Sequence, residues 1–282
     1  MTVLDVLQST TAYFKKRNIE SPRLNAEHLL AHTLGRKRIE LYLEFERELD
    51  ETELTPLRES VRRRGQGEPL QHLLGTVEFC GMTFACDKRA LVPRPETEEL
   101  VELLQSKIQS ASGGPKSKIL DVGTGSGVIA LSLASKFSEA EIHATDISDD
   151  ALALAKENAE RLGLSERVQF ARSDVLDGVA GTFDLIVANL PYVARQDRQS
   201  LSLEVLHDPE VALFGGEKGD EMIRKLIETA PPHLNSGGLL ALELGIGQNE
   251  ALAAFLSEKN YHDTELKNDY SNRPRFLFSR YG

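Results

Sequence analysis

An apolar run, Phe183, Leu185, Ile186, Val187 and Ala188, stops abruptly at Asn189-Leu190-Pro191-Tyr192. The run has the length and content of a fully buried strand, and the carboxyl ends of strands are where open α/β sheets bind ligands. Asn189 supplies one side-chain acceptor there and the peptide carbonyl of Leu190 a second. Pro191 stiffens the turn that holds both, and Tyr192 adds a flat apolar face. Two acceptors beside a ring suit a planar substrate that carries an NH2 group. An Asn close to a Pro also serves as an ordinary turn cap, so the tetrad on its own leaves that reading open.

A second constellation lies upstream. Asp121-Val122-Gly123-Thr124-Gly125-Ser126-Gly127 joins an apolar strand to a helix. Glycines at such a junction let a ligand lie against bare backbone at a helix N-terminus. The spacing is Gly-x-Gly-x-Gly with Val128 in the sixth position, a departure from Gly-x-Gly-x-x-Gly that counts against a nicotinamide dinucleotide. Asp146, at the end of the next strand, is placed for vicinal ribose hydroxyls. Asp174 follows the third strand and is placed for an adenine amino group, with Val175 packing the ring. An ordinary loop acid fits Asp174 equally well.

These residues need a sheet to hold them. Strands are expected at residues 118–122, 141–145, 168–171, 183–188, 238–243 and 275–279, with helices at 128–136 and 148–162; repeated β-α units imply a parallel sheet with helices on both faces. Before it, Leu91-Val92-Pro93-Arg94-Pro95-Glu96-Thr97-Glu98 reads as an extended entry to a helix burying Leu100, Val101, Leu104 and Ile108. That helix should end in a loop over residues 110–115, and residues 75–84 alternate as a β-hairpin around Gly81. The first 74 residues read as a small helical bundle. Ser21-Pro22 starts one helix and Gly35 stops it, another is expected over residues 39–45, and Thr55-Pro56 starts a last one running to Arg64. The expected plan is therefore a helical domain at 1–74, a hairpin linker at 75–91 and an α/β domain at 92–282.

Charge narrows the partners. The net charge of the 282-residue chain is −11. Residues 1–74 carry 12 acidic and 12 basic side chains, leaving 21 basic against 32 acidic beyond them. A broad phosphate-binding surface is not expected on the larger part, so no direct nucleic-acid partner is expected. Arg62-Arg63-Arg64 reads as a solvated helix end. No apolar run approaches the roughly 20 residues that span a bilayer, and Met1-Thr2-Val3-Leu4-Asp5 has neither the basic nor the apolar part of a secretion signal; a cytoplasmic location is expected. Cys80 and Cys86, with no Cys-x-x-Cys spacing, read as buried thiols and not as a metal site or disulfide.

The glycine loop, Asp146 and the Asn-x-Pro-Tyr tetrad, in that order, resemble class I S-adenosylmethionine-dependent methyltransferases that act on planar NH2 groups. Within them, Val92 to Glu98 (V-P-R-P-E-T-E), Asp121 to Gly127 (D-V-G-T-G-S-G) and Glu243-Leu244-Gly245 with Gln248 are similar to the HemK/PrmC group. The resemblance implies a Rossmann-like methyltransferase sheet behind a helical N-terminal domain, whose expected work is substrate recognition, with simple structural support as the alternative. It implies methylation of the glutamine side-chain amide in the Gly-Gly-Gln motif of class I peptide chain release factors; a monomer with no metal is expected, although the sequence itself does not give the oligomeric state. By position, Gly123, Thr124, Gly125, Ser126, Gly127, Asp146, Asp174, Val175 and Asn189 would hold the cofactor, and Asn189, Leu190, Pro191 and Tyr192 would hold the glutamine. Two positions depart from the family. Leu190 stands where Pro is usual, which keeps the carbonyl and loosens the turn, and Val175 stands where Trp is common, which removes an aromatic stack on adenine. A glutamine methyltransferase of a ribosomal protein, a nucleic-acid amino-methyltransferase and a non-catalytic cofactor-binding scaffold are the competing assignments.

Overall fold

The structure is a computed structural model and describes residues 1–110 and 116–282, so the loop expected beyond Ser110 lies outside the described residues. The chain divides into two compact units, Met1–Thr76 with Leu201–His207, and Val77–Ser200 with Asp208–Gly282.

The first unit is helical: α1 (Val3–Lys16), α2 (Pro22–Leu34), α3 (Glu51–Gly65) and α4 (Leu70–Leu74). Its core gathers Leu7, Phe14, Leu29, Leu30, Leu41 and Leu57. Helix α2 starts and stops where Ser21-Pro22 and Gly35 place it, with Gly35 in the left-handed conformation. Three expectations need correction. Residues 39–45 do not make an α-helix, and Arg38–Leu43 turn as a 3-10 helix instead. Helix α3 does not begin at Thr55-Pro56. Asp50 accepts from the Thr52 and Glu53 amides while Glu53 reaches back to Asp50, and this reciprocal cap sets the start earlier. Pro56 then falls inside the helix and costs it one backbone hydrogen bond. Finally, Arg64 is not solvated. It is 3% exposed and donates to Asn25 Oδ1 (2.7 Å), the Glu68 carbonyl (3.0 Å) and Glu204 Oε2 (2.7 Å), so a buried charge is fully partnered.

A hairpin follows, β1 (Thr76–Phe79) and β2 (Met82–Ala85), turned by Cys80 and Gly81, both at positive φ. Cys86 is buried and Cys80 half-buried; burial pushes their thiols up to about 12 and about 11. The larger unit then runs α5 (Pro95–Ser110), β3 (Lys118–Val122), α6 (Val128–Lys136), β4 (Glu141–Asp146), α7 (Asp149–Arg161), β5 (Val168–Arg172), β6 (Phe183–Ala188), β7 (Val193–Ala194), α8 (Glu210–Leu213), β8 (Phe214–Gly216), α9 (Glu221–Thr229), β9 (Leu234–Glu243), α10 (Asn249–Glu258), β10 (Tyr261–Asn268) and β11 (Pro274–Tyr281). The described residues form one seven-stranded sheet in the order β10-β11-β9-β6-β3-β4-β5.

Five neighbouring strands, β9 to β5 in that order, are parallel. Strand β11, expected over residues 275–279, runs antiparallel to both β9 and β10, and β10 is an addition that the sequence pattern does not announce. Side chains alternate between two cores. Ile119, Leu185, Val187 and Ala241 face α5 and α6, while Leu120, Ile186, Leu240 and Leu242 face α9 and α10. Both faces are thus covered, which explains why these strands read as unbroken apolar runs. The chain passes from β3 outward to β4 and β5, then returns to β6 on the other side of β3. A crevice therefore opens between the ends of β3 and β6, where strand order reverses.

Candidate active site

Strand register brings the sequence motifs together. Val122 pairs with Ala188 on one side and Thr145 on the other, so Gly123, Asn189 and Asp146 leave three adjacent strands at the same edge. A cavity of about 500 Å³ opens there. Gly123, Thr124, Gly125, Ser126 and Asp146 form one part of its wall, and Asp174, Val175, Asn189, Leu190 and Pro191 another. Gly127 and Tyr192 do not line it.

The glycine loop is shaped by close approach. Gly123 sits at φ 73°, and a Cβ there would fall 2.8 Å from Leu190 Cδ2. Leu190, the departure from the Pro of related tetrads, is 5% exposed and lies over that bare Cα; its side chain anchors the turn that the lost ring would have stiffened. Gly127 serves packing, because at φ 84° a Cβ would meet Ala155 of α7 at 3.2 Å. Beneath the loop, Asp121 is fully buried and accepts from Thr124 Oγ1 (2.6 Å) and the Ala130 amide (3.2 Å). Burial pushes its carboxyl up to about 7. Asn158, also buried, receives the Ala85 amide (2.6 Å) and donates to the Ser126 carbonyl (3.0 Å), tying β2 to the loop.

Asp146 takes the Gly125 amide on one oxygen (2.8 Å) and the Ser148 amide on the other (2.9 Å). Each oxygen keeps a lone pair for a ligand hydroxyl. Burial raises its pKa against those two hydrogen bonds. Asp174 pairs with Lys225 (2.8 Å), and Val175 forms a buried apolar floor at φ 57°. A β-branched residue in the left-handed region is strained; Ser173 Oγ holds the turn by sharing its one proton between the Val175 and Asp177 carbonyls, 3.0 Å each. An adenosyl group fits these features: glycine backbone facing the cavity, an acid with free lone pairs and an apolar floor.

The tetrad is braced by residues that local sequence does not point to. Asn189 Nδ2 donates to Thr97 Oγ1 (3.0 Å), and Thr97 Oγ1 donates to Glu243 Oε2 (2.8 Å). Burial pushes the Glu243 carboxyl up to about 7 against the hydrogen bond from Thr97, the charge of Arg275 and a direct hydrogen bond from Asn189. Tyr192 is packed against Gly245, where a Cβ would fall 3.0 Å from its Cδ2, with the Arg275 guanidinium 6.0 Å from its ring centroid. Gln248 closes this corner by accepting from the Gly245 amide (2.9 Å) and donating to the Tyr192 carbonyl (3.1 Å). Arg94 pairs with Asp208 Oδ2 (2.5 Å), while Asp208 Oδ1 accepts from the Val92 amide (3.1 Å). The signal for these braces was their place in V-P-R-P-E-T-E and E-L-G, whose spacing alone assigns no role.

Residues 5–75 match the family model described as PrmC N-terminal domain, and residues 96–218 match Methyltransferase small domain. The chain is similar to the release factor glutamine methyltransferase of Rhodopirellula baltica, 40% identical across 98% of this chain and 95% of that protein. It is equally similar to that of Deinococcus radiodurans, 40% identical across 99% of each. Among solved structures it resembles ribosomal protein L11 methylase from Lactobacillus delbrueckii subsp. bulgaricus, at 25% identity and a TM-score of 0.50 over 67% of this chain and 81% of that one.

Proposed function

The chain belongs to the release factor glutamine methyltransferases, and from that premise we propose that it methylates the side-chain amide nitrogen of the glutamine in the Gly-Gly-Gln motif of class I peptide chain release factors. S-adenosylmethionine, when bound, supplies a methyl group already activated by its sulfonium. Gly123, Thr124, Gly125 and Ser126 shape its seat, with Gly127 packing the loop against α7 behind them, Asp146 receives the ribose hydroxyls, and Asp174 and Val175 bound the adenine. A glutamine amide nitrogen is a poor nucleophile because its lone pair is delocalised into the carbonyl. The protein's part is to hold that nitrogen in line and to accept both of its N-H groups as positive charge builds. Asn189 Oδ1 and the Leu190 carbonyl are the two acceptors. Pro191 fixes their turn, and Tyr192, half-buried behind it, braces the tetrad against Gly245 and Gln248. No side-chain base is required, since the nitrogen proton becomes acidic once the N-C bond forms and leaves to water.

The observation that carries this reading is the committed Asn189 amide. With Nδ2 held by Thr97, the oxygen end is the one left for a ligand, and an acceptor suits an NH2 substrate. The helical N-terminal unit we assign to recognition of the release factor beyond Gly-Gly-Gln, in a monomer working in the cytoplasm. A charge of −11 suits a protein partner better than nucleic acid. Incubation with methyl-labelled cofactor and a mixture of release factor, ribosomal proteins, RNA and DNA tests the assignment. Label mapped by tandem mass spectrometry to the Gly-Gly-Gln glutamine is expected; label confined to ribosomal protein or nucleic acid would reverse it.

A further inference from the structure

We propose that Glu243, acting through Thr97, sets which end of the Asn189 amide faces the substrate. The inference rests on the function proposed above and assigns positioning roles to two residues that touch no reacting atom. A primary amide has two ends of nearly equal shape and opposite polarity. If Asn189 presented Oδ1, it would accept an N-H of the substrate amide; if it presented Nδ2, two donors would face each other. Shape does not choose between them, so a hydrogen-bond partner behind the amide must.

Thr97 is that partner, beside a direct hydrogen bond from Asn189 to Glu243 that favours the same end, and its own polarity is fixed from behind. A threonine hydroxyl has one proton. Given to Glu243 Oε2 at 2.8 Å, that proton is spent, and the Thr97 oxygen can only accept from Asn189, at 3.0 Å. Asn189 can satisfy it with Nδ2 alone. Thr97 is 3% exposed and Glu243 2% exposed, so water is poorly placed to replace the link between them. The relay therefore runs one way, from Asn189 to Thr97 to Glu243, provided Glu243 accepts. A donor in its place would hand a proton to Thr97, free Thr97 to donate to Asn189 Oδ1, and turn the amide round. The charged and titratable groups around Glu243 are Arg275 from β11, itself 3.7 Å from Asp269, Glu96 beside Thr97 on α5, and Tyr192 after β6. Arg275 favours the accepting carboxylate; Glu96 and burial oppose it.

The test compares wild type with E243Q, T97V and T97S. Glu243→Gln keeps the shape, exchanges one of two acceptor oxygens for a donor and cannot ionise; Thr97→Val keeps the shape and removes the hydroxyl; Thr97→Ser restores the hydroxyl. Turnover on intact release factor is measured from pH 5.5 to 9, with cofactor affinity by calorimetry and folding by thermal melting. T97V and E243Q are expected to lose kcat by about 10- to 100-fold, a fraction of what one preorganised polar contact is worth, with cofactor affinity unchanged within twofold. T97S is expected to recover most of what T97V loses. Wild-type kcat should rise with pH as Glu243 ionises, and E243Q should lack that limb. Wild-type kcat in T97V, a T97S no better than T97V, or a loss of cofactor affinity matching the loss in kcat would each overturn the relay. If E243Q does not fold, T97V and T97S decide alone. Wild type that leaves the release factor unmethylated would remove the parent reading, and a working wild type with an indifferent T97V removes only the relay.

Discussion

Two buried acids at the carboxyl edge of the sheet invite comparison, Asp121 under the glycine loop and Glu243 behind the tetrad. Each lies at or next to the carboxyl end of a central strand, each receives a threonine hydroxyl (Thr124 at 2.6 Å, Thr97 at 2.8 Å), and burial pushes each up to about 7. They differ in what lies beyond the threonine. Thr124 belongs to the glycine loop itself, so Asp121 holds backbone, its second hydrogen bond going to the Ala130 amide. Thr97 leads on to the Asn189 side chain at the cavity wall. The same chemical unit thus shapes a surface in one half of the site and sets the polarity of a side chain in the other. A cofactor seat needs a contour, while an amide substrate needs a donor to meet an acceptor.

The contrast breaks first at Asn189. Asn189→Ala should lower kcat on release factor by about 10²- to 10³-fold, the usual effect of deleting one preorganised polar contact, with cofactor affinity intact; single-turnover kinetics and calorimetry together read this. Gly123→Ala should do the reverse. It places a Cβ 2.8 Å from Leu190 Cδ2 at φ 73°, so cofactor affinity and stability should each fall by about 1–3 kcal/mol, seen by calorimetry and urea unfolding. Should that variant bind cofactor as wild type does, the loop is not the close-fitting seat described.

The acids also predict a stability profile. Their ordinary pKa values are 3.8 and 4.5, and both are raised in the fold. Between about pH 4 and 7 the folded chain holds protons that the unfolded chain has released, so stability from these groups is greatest below that window and falls as pH rises through it. The slope is at most about 1.4 kcal/mol per pH unit for each acid. Urea unfolding across pH 5 to 8 should show the fall, and Asp121→Asn or Glu243→Gln should each flatten it; a variant with the wild-type slope would clear its acid of the effect. The smallest change is expected at Leu190→Pro, which restores the usual tetrad and its carbonyl while giving up the contact over Gly123. Turnover should stay within about threefold, since the acceptor is backbone, and a drop as large as that of Asn189→Ala would mean the Leu side chain does more than anchor the turn.

Sequence carried the centre of the sheet and the glycine loop at its edge. Strands 118–122 and 183–188 match β3 and β6 because strands buried on both faces read as apolar runs, and glycine and proline mark where they end. The polar edge was illegible for the converse reason. His262, Asp263, Thr264 and Lys267 leave β10 without apolar alternation, because only its pairing with β11 makes it a strand. At α3, Thr55-Pro56 looked like a start because Pro is favoured at first helical positions, yet the Asp50 and Glu53 cap outweighed it. The relay lay further out of reach. Thr97 is 92 residues from Asn189 and 146 from Glu243, and no periodicity links residues that meet only when β6, β9 and α5 come together.

The central claim is that two acceptors clasp an NH2 group, and it is read most directly by binding. Calorimetric titration of the protein, saturated with S-adenosylhomocysteine, against release factor carrying Gly-Gly-Gln or Gly-Gly-Glu isolates that clasp, because the two differ by an NH2 group exchanged for an oxygen. Affinity for the glutamine form should exceed that for the glutamate form by at least about tenfold, with the difference lost in Asn189→Ala. Equal affinities in the wild-type protein would contradict it.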